Sequence, residues 1–330
     1  MKKFLFIAAM ASVALVSCVK NEVIPVNEEG QEITYLTSPV TKADFGATNV
    51  FASWAFFTPT DWATDKATAA VYDEIGGVTI SKNTSGEWKE DGKSHYWPKA
   101  GALSFFSYSL NKGNLTNASG ATFGCTAANG VTVTGYNVNT DQNVDFLVAQ
   151  PIYNATRETP NYLSNGVPTV FEHKLTNVAF VIKTAADYST TQTFELQSIT
   201  FNNLETTGNY TQLATPTWSG HATPAATTSF STAATTFGSA GTPVTAVQSL
   251  YLPQDFDDDE TVTIVYTVTP FPSGTPEEYT VSPKLSEVFN VSSWAEGTIY
   301  TCTINVGLEE IKWDPSVAEW TPASYTWSVN

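Results

Sequence analysis

An all-β fold, arranged as a pair of β-sandwich domains, follows from three features of this 330-residue chain. Charged residues make up only 14% of it and aromatic residues 13%, and Thr, Ser, Val, Tyr and Phe recur in short runs split by Gly, Pro and Asn, the composition of strands and turns. Four runs alternate apolar and polar residues, Val131–Thr134, Phe194–Phe201, Thr261–Thr269 and Tyr300–Val306, so that each offers one face to a core and one to water. No stretch keeps a 3.6-residue apolar period over ten residues, and Leu285 to Trp294 offers one short helical turn at most. Length sets the number of domains at two, because roughly 310 residues remain after a leader and exceed what one core serves.

The leader comes first. Met1-Lys2-Lys3 is a short positive region and Phe4 to Val16 an uncharged, mostly apolar run of signal-peptide length, too short to span a bilayer as a stable helix. Leu15-Val16-Ser17-Cys18 resembles the bacterial lipobox, which makes residues 1–17 a lipoprotein signal peptide and Cys18 the acylated anchor, against an ordinary signal peptide that happens to hold a cysteine. No later run supplies 18 uncharged apolar residues, so acyl chains are the expected membrane attachment.

Losing residues 1–17 removes two lysines and no acid, leaving 13 basic against 32 acidic side chains and a net charge of −19. With one arginine, Arg157, and such a charge, no basic stripe forms and nucleic acid is excluded as a partner. Cys125 and Cys302 are too few and too far apart for a zinc knuckle. One disulfide between them is open; the favoured reading is two small buried hydrophobes on strands, Thr122–Thr126 and Tyr300–Val306.

Turn formers crowd the stretch between Gln150 and Val170, where Pro151, Pro160, Asn161, Asn165, Gly166 and Pro168 predict a linker. Glu205 to Gly241, rich in Thr, Ala, Ser and Gly, predicts a long surface excursion within the second domain. No fixed-period repeat occurs, which argues against a solenoid or propeller.

Chemistry finds little support. None of His95, His173 and His221 has a partner at metal-ligand spacing, and the sequence holds no Gly-x-Ser-x-Gly, no phosphate-cradling glycine loop and no His-Glu-x-x-His. Carboxylate pairs chosen among 32 acids are arbitrary without geometry. Asp255 to Glu260 lacks the spaced ligands and turn glycine of an EF-hand and reads as a solvated connection. Trp54-Ala-Phe-Phe57 with Trp62 offers a glycan-stacking platform, although such rings more often pack in cores. The expectation is a protein that binds without catalysis, with no cofactor and no metal.

Several phrases in order resemble the fimbrillin family, the type V pilins and related surface lipoproteins of Gram-negative anaerobes. They are Tyr96-Trp97-Pro98 with Leu103–Tyr108, then Asp145–Ala149, Val170–Ile182, Leu250–Gln254, Gly297–Tyr300, Ile311–Asp314 and Val317–Trp320. The resemblance implies two transthyretin-like β-sandwich domains in tandem, over 43–165 and 166–320, exported as a lipoprotein. It also implies removal of an N-terminal segment, 18–42, by a trypsin-like protease. Glu32-Ile33-Thr34-Tyr35 is then the strand released, and the cut falls between Lys42 and Ala43, where many relatives have arginine instead of lysine.

The C-terminus adds a feature of its own. Ala323, Tyr325, Trp327 and Val329 alternate with polar residues in a segment of eight that spans ~26 Å as a strand. Lying after Pro322 in the 321–330 tail, it suits β-augmentation of a neighbouring subunit, although a strand paired within its own domain looks the same in sequence. The implied partners are other fimbrial subunits, host or bacterial surface glycans or proteins, and the outer membrane through the lipid alone. The rival expectation is a non-polymerising glycan-binding surface lipoprotein.

Overall fold

The computed structural model describes residues 30–37, 45–46, 48–117, 120–138, 144–159, 162–222, 228–230, 235–237, 243–307 and 311–320. The first half carries β1 (Tyr35–Thr37), β2 (Phe51–Thr58), a helical turn α1 (Trp62–Asp65), β3 (Ala70–Lys82), β4 (Trp88–Glu90), β5 (Ala102–Ser109), β6 (Thr122–Thr126), β7 (Gly130–Asn137), β8 (Leu147–Ala149), β9 (Ile152–Ala155), a second turn α2 (Tyr162–Asn165), β10 (Val167–Thr169) and β11 (Phe171–His173). The second half carries β12 (Thr176–Thr184), β13 (Gln192–Asn202), β14 (Thr207–Thr211), β15 (Trp218–Ala222), β16 (Thr228–Phe230), β17 (Thr235–Phe237), β18 (Val244–Tyr251), β19 (Gln254–Asp255), β20 (Thr261–Pro270), β21 (Glu277–Val281), the short helix α3 (Leu285–Phe289), β22 (Ser293–Trp294), β23 (Thr298–Val306) and β24 (Ile311–Glu319). The protein is all-β, as its composition predicts.

In the first half one sheet runs β10-β1-β4-β3-β2-β5-β8-β11, with β9 added on β5. Its two ends are consecutive pieces of one chain, separated only by Val170, whose carbonyl accepts the Gln150 N–H at 2.9 Å. The sheet therefore closes on itself around a core of Phe51, Phe105, Leu147, Trp97, Tyr72 and Phe171. Period-2 geometry sends the alternate residues of β2 and β5 outward, and Trp54, Phe56, Phe106 and Tyr108 build a second core there. This explains why apolar residues occupy both parities of β2, broken only by Ser53 and the terminal Thr58: the strand is buried on both faces.

That second core is roofed by a four-stranded sheet, β15-β14-β7-β6, drawn from both halves of the chain. The 205–241 stretch thus carries more than a surface excursion. Its β14–β15 hairpin reaches back to pair with β7, Tyr210 opposite Val133, because Tyr210 and Trp218 are large apolar anchors in an otherwise small-residue segment. The 150–170 stretch likewise holds β9 and β10, both paired in the first sheet.

The second half packs the sheet β18-β12-β23-β24 against one in which β13 and β20 pair between β16 and β21. Val178, Phe180, Phe194, Ile199, Ile264 and Ile304 meet between them, with α3 closing one end. Both cysteines are free: Cys302 lies in this core and Cys125 on β6, and burial pushes both thiols up to about 12.

Candidate functional site

β1 is three residues of strand, yet it occupies the centre of a pairing site. It runs parallel to β10, Tyr35 opposite Val167 and Thr37 opposite Thr169, and antiparallel to β4, Tyr35 opposite Trp88. Further along the same wall the chain returns at His95 to Trp97. The Ile33 N–H donates to the His95 carbonyl at 2.7 Å, the Trp97 N–H to Gln31 at 3.0 Å, and across the slot the Val167 N–H to Thr34 at 2.7 Å. Alternation points Ile33 and Tyr35 inward, 2% and 5% exposed, with the Tyr35 ring edge-on to Phe51 at 5.4 Å and Phe105 at 5.9 Å. Each of these burials contributes about 1.5–3 kcal/mol and each backbone hydrogen bond about 1 kcal/mol. Beyond β1, Phe45 is anchored again, stacked on Phe171 at 5.1 Å.

The walls are built for this strand. Pro168 has no N–H to offer, and on a three-residue strand whose other residues face β1 it keeps the outer edge of β10 closed to further pairing. Gly166 sits at φ +87°, and a Cβ there would fall 2.7–2.9 Å from backbone atoms of Tyr35. Gly166→Ala is expected to push β1 off this wall at a cost of about 2 kcal/mol or more, read as faster amide exchange at residues 33–37. The opposite wall is braced by His95, whose Nδ1 lies 3.0 Å from Asp73 and Nε2 2.6 Å from Glu90, tying the end of β4 to β3.

Glu32 closes the rim with an ion pair to Lys89 at 2.9 Å. Burial works to raise its pKa, but hydrogen bonds from Lys89 and Ser94 and the lysine charge hold it below the usual 4.5. A carboxylate depressed in the folded state stabilises above its unfolded value and loses that contribution as pH falls through the folded one. β1 is therefore expected to loosen below about pH 4.5 by no more than ~1 kcal/mol, seen as faster exchange at the Ile33 amide, and Glu32→Gln should abolish the dependence.

A second polar centre lies where the halves meet. His173 Nδ1 is 2.7 Å from the buried Asp145 Oδ2, and the Trp320 ring stacks on the imidazole at 3.5 Å and 12°. Burial pushes the Asp145 carboxyl above its usual range, against the pull of His173. Lys174 pairs with Glu172 and Glu296, and its carbonyl accepts the Trp218 indole N–H at 2.8 Å.

Cys18, Lys42, Ala43, Ala323, Tyr325, Trp327 and Val329 lie outside the described residues. Trp54, Phe56 and Trp62 are buried in the second core, so they form no exposed platform. His221 faces Glu205 at 3.3 Å, and among the described residues no three His, Cys, Asp or Glu side chains gather as metal ligands. Likewise, among those residues no helix is long and apolar enough to cross a membrane. The slot walls, Trp88, Gly166, Val167 and Pro168, escaped sequence reasoning, since only the turn-forming character of Gly166 and Pro168 shows locally.

A family model described as fimbrillin-like matches residues 40–320. The chain belongs to the fimbrillin-like family. This membership supports a fimbrial or adhesion role at the cell surface. The fimbrillin-like fold recurs in a fimbrial protein from Bacteroides vulgatus, 14% identical with a TM-score of 0.69 over 88% of this chain and 99% of that one. A candidate cell adhesion protein from Bacteroides uniformis is 15% identical with a TM-score of 0.52, over 88% and 100%. No curated protein matches the fimbrillin-like chain in sequence.

Proposed function

We propose that this chain is a fimbrial subunit, exported as a lipoprotein through Cys18 to the outer membrane and assembled with like subunits by strand exchange at the β1 slot. The observation that carries the reading is the placement of β1: one short strand, paired on both edges and filling a core with Tyr35 and, just ahead of it, Ile33, joined to the anchored Phe45 through residues 38–44. Cleavage between Lys42 and Ala43 separates strand from core. The slot then exposes two unpaired edges and two emptied side-chain sites, a state that favours any strand of matching alternation. The tail supplies one, with Ala323, Tyr325, Trp327 and Val329 inward. Its large rings suit a slot that β1 fills with isoleucine and tyrosine. The subunit acts by binding, without catalysis.

Trypsin-like proteolysis of the lipid-free precursor tests this. A new N-terminus at Ala43, with a heat-sensitive ladder on unheated gels that disappears on deleting residues 323–330, is expected. A protein that stays monomeric after the cut overturns strand exchange.

A further inference from the structure

Val317 stands on the core-facing side of β24, directly opposite the buried Tyr300 of β23, yet is 52% exposed. Ile311 and Trp313 on the same face pack against the core, so cover runs out only towards the end of the strand. Three residues on, Trp320 is fixed twice, by its N–H to the Gly297 carbonyl at 2.6 Å and by its stack on His173. The sequence then gives only Thr321 and Pro322 before Ala323. At ~3.3–3.6 Å per residue, the three residues from Trp320 to Ala323 can reach no more than ~11 Å, about the spacing of two packed sheets. A subunit that takes up this tail cannot sit at arm's length; it must rest against the surface from which the tail leaves.

We propose that the uncovered end of β24, centred on Val317 beside Trp320, is a contact face for a second copy of this chain, the copy that receives the tail. The proposal rests on the strand-exchange reading. Copies carrying a formal charge of −17 repel one another, so an apolar anchor suits this contact better than a charge pair. Among described large hydrophobic residues only Val317 and Phe271 are more than half exposed. Phe271 follows β20, where its N–H donates to Thr191, at the end of the second half away from Trp320. Val317 alone stands near the tail.

The test compares full-length Val317→Asp and Val317→Lys with the natural chain after proteolytic processing. Both should form about tenfold less polymer, while the unfolding midpoint and the affinity of processed protein for a synthetic 321–330 peptide stay unchanged. A photo-crosslinking residue at 317 should give covalent dimers in polymer and none in unprocessed monomer. Undiminished polymer from both variants, or no crosslink, overturns the contact. Failure of the peptide to bind the processed natural chain instead overturns strand exchange, and the contact with it.

Discussion

Tyr35→Ala is expected to leave β1 barely held while the rest of the molecule stays folded. Truncating a buried aromatic side chain costs about 3–5 kcal/mol when the surroundings cannot respond. Here they can, because β1 is a short strand near the described start of the chain, and detaching it caps the loss at its own docking energy. That energy is dominated by Ile33 and Tyr35 at about 1.5–3 kcal/mol each, with backbone bonds to His95, Trp97 and Val167 adding to it. Removing one of the two anchors therefore takes much of the total. The signature is local: amide exchange at residues 33–37 and at Val167 accelerates at least tenfold, proteolysis within 38–44 speeds up, and the global midpoint moves by only a few degrees. Tyr35→Phe, which keeps the ring contacts with Phe51 and Phe105, should behave almost as the natural chain. Unchanged protection at β1 in Tyr35→Ala would show that the strand is held by something else.

Asp145→Ala is expected to be the most damaging single change at the junction of the halves. It strips a buried imidazole of a 2.7 Å partner and leaves a hole beneath the ring on which Trp320 stacks. Breaking a buried pair from one side costs about 3–5 kcal/mol, whereas Asp145→Asn keeps an acceptor and a matching shape and should cost nearer 1 kcal/mol. Denaturant unfolding monitored by fluorescence measures both. Equal losses for Ala and Asn would mean that charge, not the hydrogen bond, is what His173 requires.

The strands themselves were legible because their physics is local. Thr261–Thr269 lies within β20 with Val262, Ile264, Tyr266 and Val268 inward, as its alternation dictates. Phe194–Phe201 keeps Phe194, Leu196, Ile199 and Phe201 on one side although the parity slips midway. A bulge between Leu196 and Ser198 restores the register. The α3 turn falls inside the one stretch that offered it. What stayed hidden was partnership. Nothing in Val167-Pro168-Thr169 announces a strand that pairs with residues more than 130 positions earlier, and Gly166 signals only a turn. The β14–β15 hairpin was hidden for the same reason: a Thr- and Gly-rich sequence carries weak alternation, and its alliance with β7 depends on two aromatic residues finding a core assembled by the other half. Glu32 to Tyr35 was singled out through family resemblance, and its place beside β10 emerges only in three dimensions.

The nine-residue ladder between β23 and β24 has a mechanical meaning in a fibre joined as proposed. Tension pulled through the tail reaches the subunit at Trp320, the residue that follows β24, and acts along the axis of that strand. Antiparallel hydrogen bonds lie across this axis, so the load falls on the whole ladder in shear rather than on one bond at a time, as it would if the strand were peeled from its end. With the β14–β15 hairpin stitching the two halves together, the described residues leave no slack linker between them to stretch first. Force would pass from tail to slot through paired backbone, a subunit built as a stiff link in a chain.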